Sequence, residues 1–79
     1  MEELAEETLK MLDKIESMMD KVEVNSDKGG EMLENMKAYV ADSKHFLNQK
    51  NFIKAFESIV WSWAIMEICE DLGFFKIEK

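Results

Sequence analysis

Arginine and proline are both missing from this 79-residue chain, and cysteine and histidine occur once each. Every one of the ten basic residues is therefore a lysine. Without a guanidinium there is no planar fork for bidentate contacts to phosphate, carboxylate or guanine. Seventeen acidic residues bring the net charge to −7, which opposes the sequence-independent attraction that starts most nucleic-acid binding. No nucleic-acid partner is expected. Lys37, Lys44, Lys50 and Lys54 gather near one turn, where scattered lysines serve solubility. Cys69 has no second cysteine to pair with, which fits a reducing cytoplasm. Met1 to Glu7 turns acidic at its second residue, unlike a signal peptide. No apolar run approaches the ~20 residues needed to cross a bilayer. The expectation is a cytoplasmic chain with no membrane partner.

What is present is helical periodicity. The pattern predicts one domain over 1–79, all-α, an antiparallel up-and-down three-helix bundle with helices at about 2–23, 31–49 and 51–72. In the first segment Leu4, Thr8, Met11, Ile15, Met18 and Val22 alternate steps of four and three, with Leu12 and Met19 beside them. Glu2, Glu3, Glu6 and Glu7 favour the positive end of that helix. Val24 to Gly30 reads as a loop, and its Gly29-Gly30 pair lacks the spacing and preceding strand of a phosphate loop. Leu33, Met36, Val40, Ser43 and Leu47 centre the second helix, with Met32, Tyr39 and Phe46 to one side. Lys50-Asn51 makes a tight turn, Asn51 caps the third helix and Gly73 ends it in a Schellman geometry, with Phe74 folding back on Ile68 or Cys69.

The third helix carries two apolar seams. Phe52, Phe56, Ile59, Trp63 and Met66 form one; Trp61, Ile65, Ile68 and Leu72 form the other, about 160–180° away. A helix on the skin of a small bundle needs one such stripe. The second seam is the candidate interface. Three arrangements would cover it: a second copy or another protein, the first helix in a flat layer, or the tail. Ile77 reaches back about 13 Å, enough for Leu72 and Ile68 but short of Trp61, about 16 Å up the helix.

Chemistry-bearing constellations are few. Asp42 and His45 share the carboxylate–histidine spacing of di-iron bundles, but those sites use the motif twice. His45 is expected on the outward face of its helix, away from Tyr39 and Phe46. Asp42, Glu67 and Glu70 form a candidate polar site, suited to acid–base work or a hard cation; alternatively Glu67 bonds across to Tyr39 or a helix end. Ser43, Ser58 and Ser62 suit close packing and have no second histidine to activate them. Cys69, beside Glu70 and Asp71, reads as inert core. The seven methionines fill core gaps or make an adaptable surface. No catalytic residue, metal or cofactor is expected, and the chain is not expected to be an enzyme.

From Tyr39 onward the chain resembles a family of small archaeal helical proteins known only as domain of unknown function 357. Tyr39, Asp42, Phe46, Phe52, Ala55, Glu67, Leu72 and Gly73 carry the likeness, over about half the chain. Glu67 stands where that pattern has aspartate, Glu70 replaces a residue often basic, and Trp61-Ser62-Trp63 is bulkier than usual. The resemblance implies an up-and-down three-helix bundle and an archaeal cytoplasm, and no activity. The turn from Phe46 to Phe56 is also similar to a tetratricopeptide hairpin, with Ala55 at the small packing position, but a lone unit cannot build that array. A likeness to helical nucleotide-binding and ribonuclease domains fails, because their arginine-to-histidine motif needs an arginine. The sequence thus leads to a non-enzymatic interaction or self-association module, possible as a homodimer, with a small ligand- or cation-binding protein as the rival.

Overall fold

The computed structural model describes residues 2–78, with no account of the Glu2 side chain. Three helices, α1 (Glu2–Met19), α2 (Asp27–Asn48) and α3 (Phe52–Asp71), make up most of the chain, and two three-residue strands, β1 (Val22–Val24) and β2 (Phe75–Ile77), join its ends. The all-α expectation holds for the bundle but omitted this antiparallel ribbon. Val22 pairs with Ile77, Glu23 with Lys76 and Val24 with Phe75, so β-branched and aromatic residues flank an opposite-charge pair. No helix among the described residues is long and apolar enough to cross a membrane.

The helix limits differ from expectation where the ribbon intervenes. α1 stops at Met19, four residues early, because Val22 to Val24 pair with the tail. α2 starts at Asp27, four residues early, because Ser26 is its N-cap and accepts from the Gly29 N–H at 3.1 Å. Gly29 and Gly30 are therefore first-turn helix residues, not loop. Gly29 is needed for close approach: a Cβ there would lie 2.7 Å from the Phe74 carbonyl oxygen and 3.1 Å from a Val24 methyl.

The α2–α3 connection follows the expected chemistry. The Asn51 side chain accepts from the Lys54 N–H. Lys50 takes the left-handed conformation, φ 59°, and the bonds Lys50 N–H to Leu47 and Asn51 N–H to Phe46 close α2 in a Schellman pattern. α3 ends the same way: Gly73 has φ 79°, Phe74 N–H donates to Cys69 and Gly73 N–H to Glu70. Of the two contacts expected for Phe74, the backbone takes Cys69.

α3 is the central element. Its buried stripe is Ala55, Ser58, Ile59, Ser62, Met66 and Cys69, in which Ile59 and Met66 of the first seam flank four small residues. Ser43 Oγ on α2 donates to the Ala55 carbonyl at 2.8 Å, and Ser62 Oγ on α3 donates to the Met36 carbonyl at 3.1 Å. On the other flank, Trp63 Nε1 donates to the Met11 carbonyl of α1 at 3.3 Å. Leu12, Ile15, Met36, Val40, Ile59, Met66, Cys69 and Phe75 form the core. Thr8, also fully buried, satisfies its hydroxyl on the Leu4 carbonyl. No buried side-chain N or O among the described residues lacks a partner, as a small core requires.

The tail corrects one expectation. It does not lie over the outer seam, since Ile68 and Leu72 remain 55% and 62% exposed while Phe75 is 2% exposed. The ribbon satisfies backbone groups that a tail laid along a helix would leave unpaired. Asn25 reinforces it, with its N–H donating to the Phe74 carbonyl and its side chain to the Gly73 carbonyl.

The two adjacent glycines should respond in opposite ways to alanine. Gly29→Ala is expected to destabilise by roughly 1–3 kcal/mol, because the opposing atom is backbone and cannot swing aside. Gly30→Ala, whose added Cβ would meet a Val24 methyl only at 4.0 Å, should be neutral or stabilising by about 0.5 kcal/mol. Chemical denaturation of both variants checks this; equal effects would refute the close-approach account.

Candidate functional site

The second seam of α3 sits where α3 borders α2, and its members have unequal environments. Ile65 is half-buried and packs against the core. Trp61 is 59% exposed and stacks on Tyr39 of α2, with ring centroids 6.5 Å apart and planes inclined by 23°. α1 does not reach it, because α1 lies on the Trp63 side. Together Met32, Tyr39 and Asp42 from α2 and Trp61 and Ile65 from α3 line a shallow groove of about 540 Å³.

The structure enlarges this surface beyond the four residues identified from periodicity. Ile53 and Val60 are also exposed. At about 100° per residue, Ile53, Val60, Trp61, Ile68 and Leu72 fall within one arc of roughly 120°, directed away from the buried stripe. Their signal was present in the sequence, but it was masked by treating helix burial as two opposed lines. The core-facing stripe takes Ile59 and Met66 from the first line and small residues beside it, so the face opposite that stripe points to solvent.

The candidate polar residues are placed differently. Asp42 lines the α2–α3 groove. Glu67 and Glu70 are exposed on α3 and do not line that groove. Glu67 makes no hydrogen bond or ion pair with Tyr39 or any other side chain among the described residues. No group of three His, Cys, Asp or Glu side chains among the described residues could hold a metal ion. His45 is exposed as expected, yet its ring rests edge-on against Phe46, with centroids 5.6 Å apart. Lys54 Nζ lies over the other side of the turn, 5.6 Å from the Phe46 ring centre.

Cys69 is buried, and its thiol pKa is raised above 9.0 by burial, with Lys28 pulling the other way. The dominant cause is desolvation and not the adjacent acids. A raised pKa in the folded state means the neutral thiol's contribution to stability is intact below 9.0 and declines as pH rises beyond it.

Residues 2–75 match the family described as a protein of unknown function, DUF357. The crystal structure of protein AF1782 from Archaeoglobus fulgidus, of the same family, is similar to this chain with a TM-score of 0.88 and 36% identity. The alignment covers 98% of this chain and 96% of that one. Comparison with curated proteins finds no match.

Two outcomes are expected from this geometry. Millimolar Mg²⁺, Mn²⁺ or Zn²⁺ should move the melting temperature by less than about 1 °C, since no ligand cluster couples binding to folding; a shift of several degrees abolished by Glu67→Gln would establish a carboxylate site. Labelling of Cys69 by a thiol reagent at pH 8 should be at least ~100-fold slower in the native protein than in denaturant. Native labelling at the unfolded rate would contradict its burial.

Proposed function

We propose that this chain, which belongs to the DUF357 family, is a non-enzymatic cytoplasmic interaction module that self-associates through the outer face of α3. The observation that carries the reading is the exposed row Ile53, Val60, Trp61, Ile68 and Leu72 on a helix whose other side already supplies the core. The exposed area of these five residues is on the order of 500 Å², at the upper end of the largest patch on an ordinary monomer. Pairing two such faces removes about 1,000 Å², near the lower bound of specific interfaces, so the association is weak and concentration-dependent.

The scaffold reading that accompanies this is an up-and-down bundle with antiparallel neighbours. The serine bonds support it, because Ser43 meets Ala55 near the turn while Ser62 meets Met36 further from it. The charge of −7 and the missing arginine favour a protein partner over a nucleic acid. A free, buried thiol suits a reducing compartment.

Light scattering from micromolar to millimolar concentration tests the proposal. The expected mass rises from monomer to dimer over that range, and Ile68→Glu holds it at the monomer. Because Ile68 is over half exposed, that variant should change folding stability by less than about 1 kcal/mol. A wild-type chain that stays monomeric throughout, or an Ile68→Glu chain that still dimerises equally well, would overturn it.

A further inference from the structure

The outer face of α3 has internal symmetry that specifies how a second copy would sit on it. In an antiparallel helix pair related by a two-fold axis, residue i of one helix lies beside residue j of the other with a constant sum i + j. Residues that pack side by side must also lie at equal and opposite angles about the line joining the two helices. Taking about 100° per residue, the exposed arc of Ile53, Val60, Trp61, Ile68 and Leu72 and its span along the helix place the two-fold axis between the two helices, level with Ser62 and Trp63. That register sets Trp61 beside Ala64 and Ile53 across from Leu72 of the second helix.

Three independent features agree with it. The first is shape: Trp61, the largest exposed side chain of the face, meets Ala64, the smallest residue on it, so a projection enters a notch. The second is charge. Lys54 is the only cation on α3, and it stands in the first turn, while Glu67, Glu70 and Asp71 stand in the last two. An antiparallel pair brings Lys54 beside Asp71 of the other copy at both ends and aligns opposed helix dipoles. A parallel pair would bring both acidic ends together in molecules already carrying −7 each. The third is area. Full overlap from Ile53 to Leu72, about 28 Å of helix, uses every exposed apolar residue of α3, and a shorter overlap would fall below what a specific interface needs.

We infer that α3 pairs with α3 of a second copy as an antiparallel, two-fold-symmetric dimer in which Trp61 covers the partner's Ala64 and Lys54 faces the partner's Asp71. This rests on the self-association reading and adds its direction and register. Glu57 is the one charge near the middle of the face, where it opposes the partner's Ile68, and it weakens the pair.

Mixed single-cysteine cross-linking tests the geometry with the full chain. Differently tagged Ile53→Cys and Leu72→Cys proteins, each also carrying Cys69→Ala so that the introduced thiol is the only one, are mixed at a concentration where light scattering shows dimer, then mildly oxidised. Both sites are exposed, and circular dichroism of each variant confirms folding. The expected product links one Ile53→Cys chain to one Leu72→Cys chain, with few like–like links. Like–like links in place of mixed ones overturn the antiparallel register while leaving self-association standing. A chain that is monomeric before oxidation overturns both. As a second measurement, Lys54→Glu should weaken the dimer roughly 2–10-fold and Lys54→Glu with Asp71→Lys should restore it. Equal weakening in the single and double variants would remove the charge pairing.

Discussion

Two serine hydroxyls that donate to carbonyls of a facing helix set the geometry on which the rest of this molecule depends. Ser43 reaches Ala55 and Ser62 reaches Met36, and neither bond forms unless the backbones of α2 and α3 come close. Small side chains on the contact stripe allow that approach. With α3 this near α2, its two tryptophans stand on either side of the buried stripe. Trp63 then meets α1 and Trp61 rests on Tyr39.

The open end of the bundle is closed by a device that depends on one missing Cβ. Gly29 allows the Phe74 carbonyl to lie against the first turn of α2, and the left-handed Gly73 turns the chain toward it. From there the ribbon directs Phe75 into the core. With that apolar residue drawn inward, nothing from the tail remains to shield Ile68 and Leu72. The exposure of Ile68 and Leu72 thus follows from how the end is sealed.

Buried polar groups and surface carboxylates occupy separate parts of this protein. The buried hydroxyls of Thr8, Ser43 and Ser62 each donate to a backbone carbonyl, which makes them structural. The carboxylates identified from their spacing lie on the surface, and only Asp42 borders a groove. The feature with the greatest unmet interaction potential is apolar, and it belongs to the helix that already contributes most to the core.

Helix existence, the Asn51 cap, the Gly73 ending and the small-residue role of the serines were legible in the sequence because each is a local property. Capping, left-handed turns and heptad-like spacing act within a few residues of chain. The β ribbon was not legible: three residues at Val22 and three at Phe75 are too short to show a period, and each is extended only because the other is there. Likewise Gly29 looks like any loop glycine until Phe74, 45 positions away, is placed against it. The sequence by itself determined that α3 is apolar on too many sides to be an ordinary surface helix. Only the tertiary structure decided which side faces water, because that depends on where α1, α2 and the tail come to rest.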